Sequence, residues 1–165
     1  TWEVETLKEI SEKKSSNISA NKIKDNFGEY NIYGAAGILK KIDFYEEENN
    51  YISIVKDGAG VGRLFFCEGK SSVLGTMEII KPKVNSYFLY CVLSNIDFTK
   101  YVTGSTIPHI YFKDYKKEKL KIPSINEQVK IATFLSLISD KIKNEKRILQ
   151  EFETQKKFLL TNLFI

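Results

Sequence analysis

The chain has 165 residues, of which 42 % are hydrophobic and 28 % are charged, so it can form one globular domain with a substantial core and an additional segment. A net charge of +4 permits binding to a polyanion but does not require it. No run of eighteen apolar residues and no basic, apolar leader occurs, so we expect neither a membrane span nor a signal peptide.

The N-terminal part is predicted to begin with a short amphipathic segment, Trp2 to Ile10, followed by a long polar loop over residues 13–31 with a short strand at most. Lysine and asparagine alternate through this loop. The sequence Gly34-Ala35-Ala36-Gly37 then predicts a tight backbone turn.

A hairpin is predicted next. Residues 51–56 (YISIVK) and residues 63–67 (RLFFC) have the composition of strands, and the glycine-rich segment 57–62 (DGAGVG) connects them. A dinucleotide-binding loop has a different glycine spacing and opens a helix, whereas a strand follows here. We therefore interpret the segment as a turn.

Four further segments precede the C-terminal region. Residues 73–81 are predicted as a strand that Pro82 ends, and residues 87–93 as a buried helix. Residues 103–109 are predicted as a loop. Residues 111–121 form a lysine-rich amphipathic stretch.

The C-terminal region is predicted as one long helix. Ser124 followed by Glu127 is a capping-box pattern, and neither proline nor glycine occurs from there to Asn162. Apolar residues recur in steps of three and four, which is typical of a coiled coil about 55 Å long. This apolar seam consists of Ile131, Leu135, Ile138, Ile142, Leu149, Phe152, Leu159 and Leu163.

These elements predict an α+β protein: a compact domain of mixed or antiparallel strands over residues 1–122, then one long coiled-coil α-helix over residues 123–165. Such a helix is longer than a domain of this size is wide, so we expect it to project and to pair through its seam with a second helix. The two cysteines, Cys67 and Cys91, lie in apolar surroundings and are predicted to be buried free thiols of a cytoplasmic protein.

Few residues in this chain suggest catalysis. His109 is the only histidine, and no partner that would orient it can be identified from the sequence. Base recognition in DNA uses Arg, Lys, Asn, Gln, Ser and Thr, and Arg63 is the only arginine before the predicted helix. The residues that we expect to face DNA are Lys22, Lys24, Asn26, Tyr33, Arg63, Ser105, Thr106 and His109.

The chain resembles half of a specificity subunit of type I restriction-modification systems, that is, one target recognition domain followed by its conserved spacer helix. The resemblance covers essentially the whole chain. Its most specific part is the step from Ile122-Pro123 to Glu127-Gln128 and Ile131 at the start of the helix. The sequences YGAAG (33–37), DGAGVG (57–62) and GSTIPHI (104–110) also match.

The resemblance implies a non-catalytic subunit that recognises double-stranded DNA, with no metal and no cofactor of its own. It implies partner modification subunits that methylate adenine with S-adenosylmethionine, and restriction subunits that complete the complex; ATP and Mg²⁺ are expected only on partners. Full members carry two recognition domains and two helices. This chain, with one of each, is expected to be a fragment, a natural half-subunit or part of a longer chain, and a half-subunit would be expected to dimerise through its helix.

Two other hypotheses remain open from the sequence. The first is a coiled-coil assembly module without direct DNA contact. The second is a small enzyme that uses His109, which would require a carboxylate or a thiol beside that ring.

Overall fold

The computed structural model describes residues 1–163, in which the following strands and helices occur. They are β1 (Glu3–Thr6), α1 (Leu7–Ile10), β2 (Ser11–Ser15), β3 (Tyr30–Gly34), β4 (Gly37–Ile42), β5 (Tyr51–Val55), β6 (Leu64–Cys67), β7 (Ser72–Val73), β8 (Met77–Pro82), α2 (Ser86–Leu93), α3 (Phe112–Tyr115), β9 (Lys119–Ile122) and α4 (Ile125–Leu163), with 3₁₀ turns at Asn21–Ile23 and Phe98–Tyr101.

The strands form three sheets. Four antiparallel strands are arranged in the order β2-β8-β5-β6, and three more in the order β4-β3-β7, where β3 and β7 run parallel. The third sheet is the antiparallel pair β1-β9. The predicted α+β class with mixed and antiparallel strands before a long helix is therefore confirmed.

Strand β5 is the centre of the core, because all five of its side chains are buried. Tyr51 and Val55 pack with Tyr33 and Val73 of the three-stranded sheet. Helix α2 packs against β5, β6 and β8. A strand with both faces covered is continuously hydrophobic, so β5 could be predicted as a strand from its own residues, without knowledge of the segments that cover it.

Three segments differ from the sequence prediction. Most of residues 13–31 form a loop, but Ser11–Ser15 is an edge strand paired with β8. Residues 73–81 are two strands, β7 and β8, separated by a turn in which Met77 N–H donates to Leu74 O. The stretch 111–121 contains α3 and then β9, which pairs with β1.

Strand β2 carries little sequence signal because four of its five residues are exposed and none is apolar. Both of its lysines form ion pairs instead of core contacts, Lys13 with Glu78 and Lys14 with Glu47. Lys14 Nζ lies 2.6 Å from Glu47 Oε1, and Lys81 Nζ of β8 lies 2.9 Å from Glu47 Oε2. We call Glu47, Lys14 and Lys81 the glutamate clamp.

Glu47 is a carboxylate buried to 3 % exposure, a position that is rare for a charged residue without partners. Burial alone raises the pKa of this carboxyl, but the hydrogen bonds from Lys14 and Lys81 outweigh it and hold the pKa below its ordinary value. The Glu47 backbone also exchanges two hydrogen bonds with Ser71. The clamp therefore fastens the chain before β5 to the four-stranded sheet.

Both cysteines are free thiols. Cys67 is fully buried as predicted, and burial raises the pKa of its thiol to about 12. Cys91 is half-buried on α2 rather than buried. Neither environment favours a reactive thiolate.

The start of α4 is held by side chains of the motif that the sequence analysis identified. Glu127 Oε1 accepts a hydrogen bond from the Trp2 indole at 3.0 Å, so this carboxylate ties down the N-terminal segment. Gln128 is 4 % exposed; its Oε1 accepts from Asn85 N–H and its Nε2 donates to Pro123 O. The Glu-Gln pair thus joins the first helical turn to β1, α2 and β9.

Helix α4 has 39 residues and is about 58 Å long at 1.5 Å per residue. The chain separates into one compact unit, Thr1–Val129, and a second that begins at Lys130. From Ile138 onward all the seam side chains are exposed, by 41 to 68 %. No described helix is both long enough and apolar enough to cross a membrane.

Candidate nucleic-acid interface

Three loops of the first unit lie side by side. They are the β3–β4 turn (residues 34–37), the β5–β6 turn (57–63) and the loop 103–109, which together we call the loop rim. Arg63 Nη1 donates to Ala35 O at 2.7 Å, and Gly58 N–H donates to Pro108 O at 2.9 Å. These two bonds make the three loops one continuous surface.

The β5–β6 turn is the hairpin turn that the glycine pattern predicted. Gly58, Gly60 and Gly62 all have φ between +83° and +86°, a region that residues with a side chain rarely adopt. Gly62 N–H closes the turn on Val55 O at 2.8 Å. The glycines therefore serve the backbone conformation of the turn.

Arg63 is exposed at the base of this turn. Its guanidinium lies against Gly60, where a Cβ would stand 3.3 Å from the Arg63 Cζ. One of its five donors is used by Ala35 O. Arg63 thus fixes the β3–β4 and β5–β6 turns relative to each other. Its other guanidinium N–H groups can donate hydrogen bonds to a ligand.

We expect Arg63→Ala to relax selectivity at one guanine of the DNA target by roughly 10- to 100-fold, because a bidentate pair with guanine contributes about 1–3 kcal/mol. Sequencing of methylated sites in cells that carry the variant measures the effect. Lys117→Ala is the matched control, since it removes one exposed charge just before β9 from a residue that is not part of the loop rim. An unchanged set of methylated sites would remove Arg63 from the recognition residues.

Loop 103–109 is closed at its base by a reciprocal backbone pair, with Thr103 N–H to His109 O and His109 N–H to Thr103 O, both at 2.9 Å. Gly104 has φ +86°, and a Cβ there would stand 2.5 Å from Ile107 O. Ser105 and Thr106 are exposed at the tip. The loop is therefore a short, tightly closed finger, and its two predicted hydroxyl residues face solvent.

His109 is half-buried rather than presented at the tip. Its Nδ1 lies 3.2 Å from Ile107 O, and because a carbonyl oxygen only accepts, this contact places the proton on Nδ1. Its ring meets the Tyr111 ring edge-on at 4.9 Å. These two ring contacts supply neither a carboxylate nor a thiol, whereas the Asp57 backbone pairs with that of His109 in an isolated β-bridge.

Lys22, Lys24 and Asn26 lie on a segment that packs against β4. Lys22 and Lys24 are exposed. The Asn26 side chain, however, is engaged twice with Asp43: its Nδ2 donates to Asp43 Oδ1 at 2.6 Å, and its Oδ1 accepts from Asp43 N–H. The two lysines can contact phosphate, whereas the Asn26 amide is committed to the fold.

Tyr33 is the predicted DNA-facing residue that the structure places inside the protein. It is 7 % exposed and packs with Tyr51 and Cys67. Burial is the main cause of the raised pKa of its phenol. Both faces of β3 are covered here, with Ile32 packed in one buried cluster and Tyr33 in another, so the Tyr33 ring is not available to bases.

Exposed apolar residues at the loop rim were not predicted. Ile107 at the finger tip is 64 % exposed, and Ile38, just after the β3–β4 turn, is 58 % exposed. A lone isoleucine between Ser-Thr and Pro-His was the available signal for Ile107. Within residues 1–163 there is no cluster of His, Cys, Asp and Glu able to hold a metal ion.

Comparison with known proteins gives a consistent picture. The family described as "Type I restriction modification DNA specificity domain" matches residues 1–154. A Mycoplasma pneumoniae protein named as a type I specificity subunit, S.MpnORF285P, is 29 % identical over 96 % of this chain and 54 % of its own length. The specificity subunit of the type I restriction enzyme MjaVIII from Methanocaldococcus jannaschii is 27 % identical over 70 % of this chain and 28 % of its own length.

Solved structures show the same fold. The S subunit of the type I restriction-modification system from M. genitalium superposes with a TM-score of 0.78 at 17 % identity, over 99 % of this chain and 46 % of that chain. The HsdS subunit from Thermoanaerobacter tengcongensis gives a TM-score of 0.59 at 15 % identity, over 96 % and 42 %. This chain therefore spans about half the length of the M. pneumoniae protein and of the two S subunits of known structure, and 28 % of the M. jannaschii subunit.

Proposed function

Because the chain belongs to the type I restriction-modification DNA specificity family, we propose that it directs adenine methylation and restriction by partner subunits to one half of a bipartite DNA site. Sequence-specific recognition of double-stranded DNA is the function of the family. The observation that carries the proposal is the family match over residues 1–154, which includes the loop rim and most of α4. A coiled-coil module without DNA contact is not favoured.

In this proposal, residues 1–122 are the recognition domain and residues 123–165 are the spacer. Lys22 and Lys24 contact phosphate, and Arg63, Ser105 and Thr106 at the loop rim contact bases. Phosphate contacts supply affinity that depends on salt, whereas base contacts supply specificity. The chain performs no chemistry itself, and it acts in the cytoplasm, where DNA and S-adenosylmethionine are present.

We also propose that α4 pairs through its seam with a second helix, from a second copy or from another half of a longer chain. At about 58 Å, α4 exceeds one DNA turn of about 34–36 Å, so half-sites more than one turn apart are within its reach. Modification subunits bind the resulting pair. Two copies would recognise a palindromic bipartite site.

Genome-wide sequencing of methylated adenine in strains with and without this chain tests the function. We expect one bipartite motif to lose methylation completely in its absence, and the spacing of its halves to report the assembly. A mobility-shift titration across salt concentrations, with modification subunits present, separates DNA recognition from pure assembly. Retention of all methylated motifs and no salt-dependent binding would contradict the proposal.

A further inference from the structure

The finger loop, residues 103–109, is more rigid than an exposed loop needs to be. Its base is paired between Thr103 and His109, and two further bonds fix it to the neighbouring hairpin: Gly58 N–H to Pro108 O at 2.9 Å and Ile110 N–H to Lys56 O at 3.0 Å. The His109 ring supports the tip from inside, with Nδ1 on Ile107 O. The tip therefore has a defined position before any ligand binds.

This rigid tip presents an apolar side chain to water. Ile107 is 64 % exposed, whereas Ile110, directly after the loop, is 2 % exposed. Leaving a large aliphatic side chain in solvent forgoes the stabilisation that its burial would give. On a preorganised loop, such a side chain is well placed to be covered by a partner.

The residues beside Ile107 identify the kind of partner surface. Ser105 and Thr106 are exposed and carry hydroxyls, which hydrogen-bond to bases of either donor or acceptor character. Arg63 stands on the adjoining turn, tied to the same rim. Duplex DNA offers such a group one apolar feature in the major groove, the C5 methyl of thymine.

We infer that the finger loop enters the major groove and that Ile107 contacts the C5 methyl of a thymine in the target half-site. This inference rests on the proposed function and adds to it a base class, an A·T pair, and a residue that selects it. Uracil differs from thymine only by lacking this methyl, so it isolates the contact from every hydrogen bond of the base pair.

The test uses the chain assembled with its modification subunits and the duplex target identified by methylation sequencing. Each thymine of the half-site is replaced singly by uracil, and the dissociation constant is measured by mobility shift. With the unaltered chain, we expect one position to weaken binding about fourfold, the effect of one buried methyl-sized group. Ile107→Ala should bind the thymine duplex more weakly and lose the uracil effect at that position.

Ile125→Ala is the matched control, because Ile125 is 58 % exposed but lies at the first residue of α4, outside the loop rim; it should keep the full uracil effect. Equal binding to all uracil-substituted duplexes by the unaltered chain would overturn the inference, as would an undiminished uracil effect in Ile107→Ala. In either case, tighter binding to the target duplex than to a duplex of scrambled sequence would leave the proposed function standing. Absence of any sequence preference would overturn both.

Discussion

Replacing Ile142 and Leu149 together by aspartate is expected to abolish the proposed pairing of α4 with a second helix. The two residues occupy successive positions of one heptad series in the seam and are 49 % and 58 % exposed. In a paired helix both would be buried. Their removal from such an interface reduces the free energy of association by about 3–6 kcal/mol, which weakens association roughly 10²- to 10⁴-fold. Burying two carboxylates adds a further penalty.

Sedimentation velocity over a range of concentrations measures this effect, and mobility shift on the full bipartite target measures its consequence. We expect the variant to lose tight binding to the bipartite site but to retain weak, salt-dependent binding to a single half-site. The first compact unit should keep its stability, because neither residue belongs to it.

Gln150→Asp is the matched control, since it adds one carboxylate on the same helix next to Leu149 but outside the seam. It should leave the sedimentation coefficient unchanged. Persistence of the paired assembly in the double aspartate variant would show that the seam is not the pairing surface and would remove the proposed spacer role of α4.

The second large effect is expected at the glutamate clamp. Replacing Lys14 and Lys81 together by methionine leaves the Glu47 carboxylate, 3 % exposed, without the two ammonium groups that neutralise it. Removing the partners of a buried charge typically destabilises a protein by about 3–5 kcal/mol. Methionine keeps most of the apolar stem, so the loss reports charge rather than packing.

Urea unfolding followed by circular dichroism gives the free energy of unfolding. In the same assay, Glu47→Gln should lower the free energy of unfolding by less than the double methionine variant does, because the neutral amide needs no counter-charge. The side chains of Lys14 and Lys81 are 43 % and 48 % exposed, so both ammonium groups can turn to water. Lys83→Met is the control. Its ion pair with Glu12 is exposed on both sides at 3.6 Å, so its loss should change stability by less than about 1 kcal/mol.

If the double methionine variant lowers the free energy of unfolding no more than Lys83→Met does, the glutamate clamp contributes no more to stability than an ordinary surface ion pair. The expected loss should also shrink at low pH. The pKa of the Glu47 carboxyl is held below its ordinary value by the lysines, so the clamp contributes fully above that ordinary value and is lost as pH falls through the lowered one.

The predictions that succeeded depended on local patterns. Helix α4 follows from its apolar spacing and the absence of glycine and proline, and the DGAGVG turn follows from glycines that allow positive φ. Strand β5 is apolar on both faces, so its burial needed no knowledge of what covers it.

The features that the sequence could not reveal depended on partners distant in sequence. Strand β2 (SEKKS) has no apolar face and exists because β8 supplies its hydrogen bonds and Glu47 and Glu78 supply counter-charges. Asn26 has the chemistry of a base-contacting residue, but Asp43 occupies its amide. Tyr33 has the chemistry of a surface contact, but both faces of β3 are covered at this point and its ring is buried.

By itself the sequence determined the long helix, the hairpin, the α+β class and the resemblance to a DNA-specificity family, because helical periodicity, glycine turns and a contiguous motif are properties of neighbouring residues. Only the tertiary structure decided which polar side chains stay free for a ligand and which loops share one surface. That outcome depends on hydrogen bonds and burial between residues far apart in the chain, as between Arg63 and Ala35 or Gly58 and Pro108.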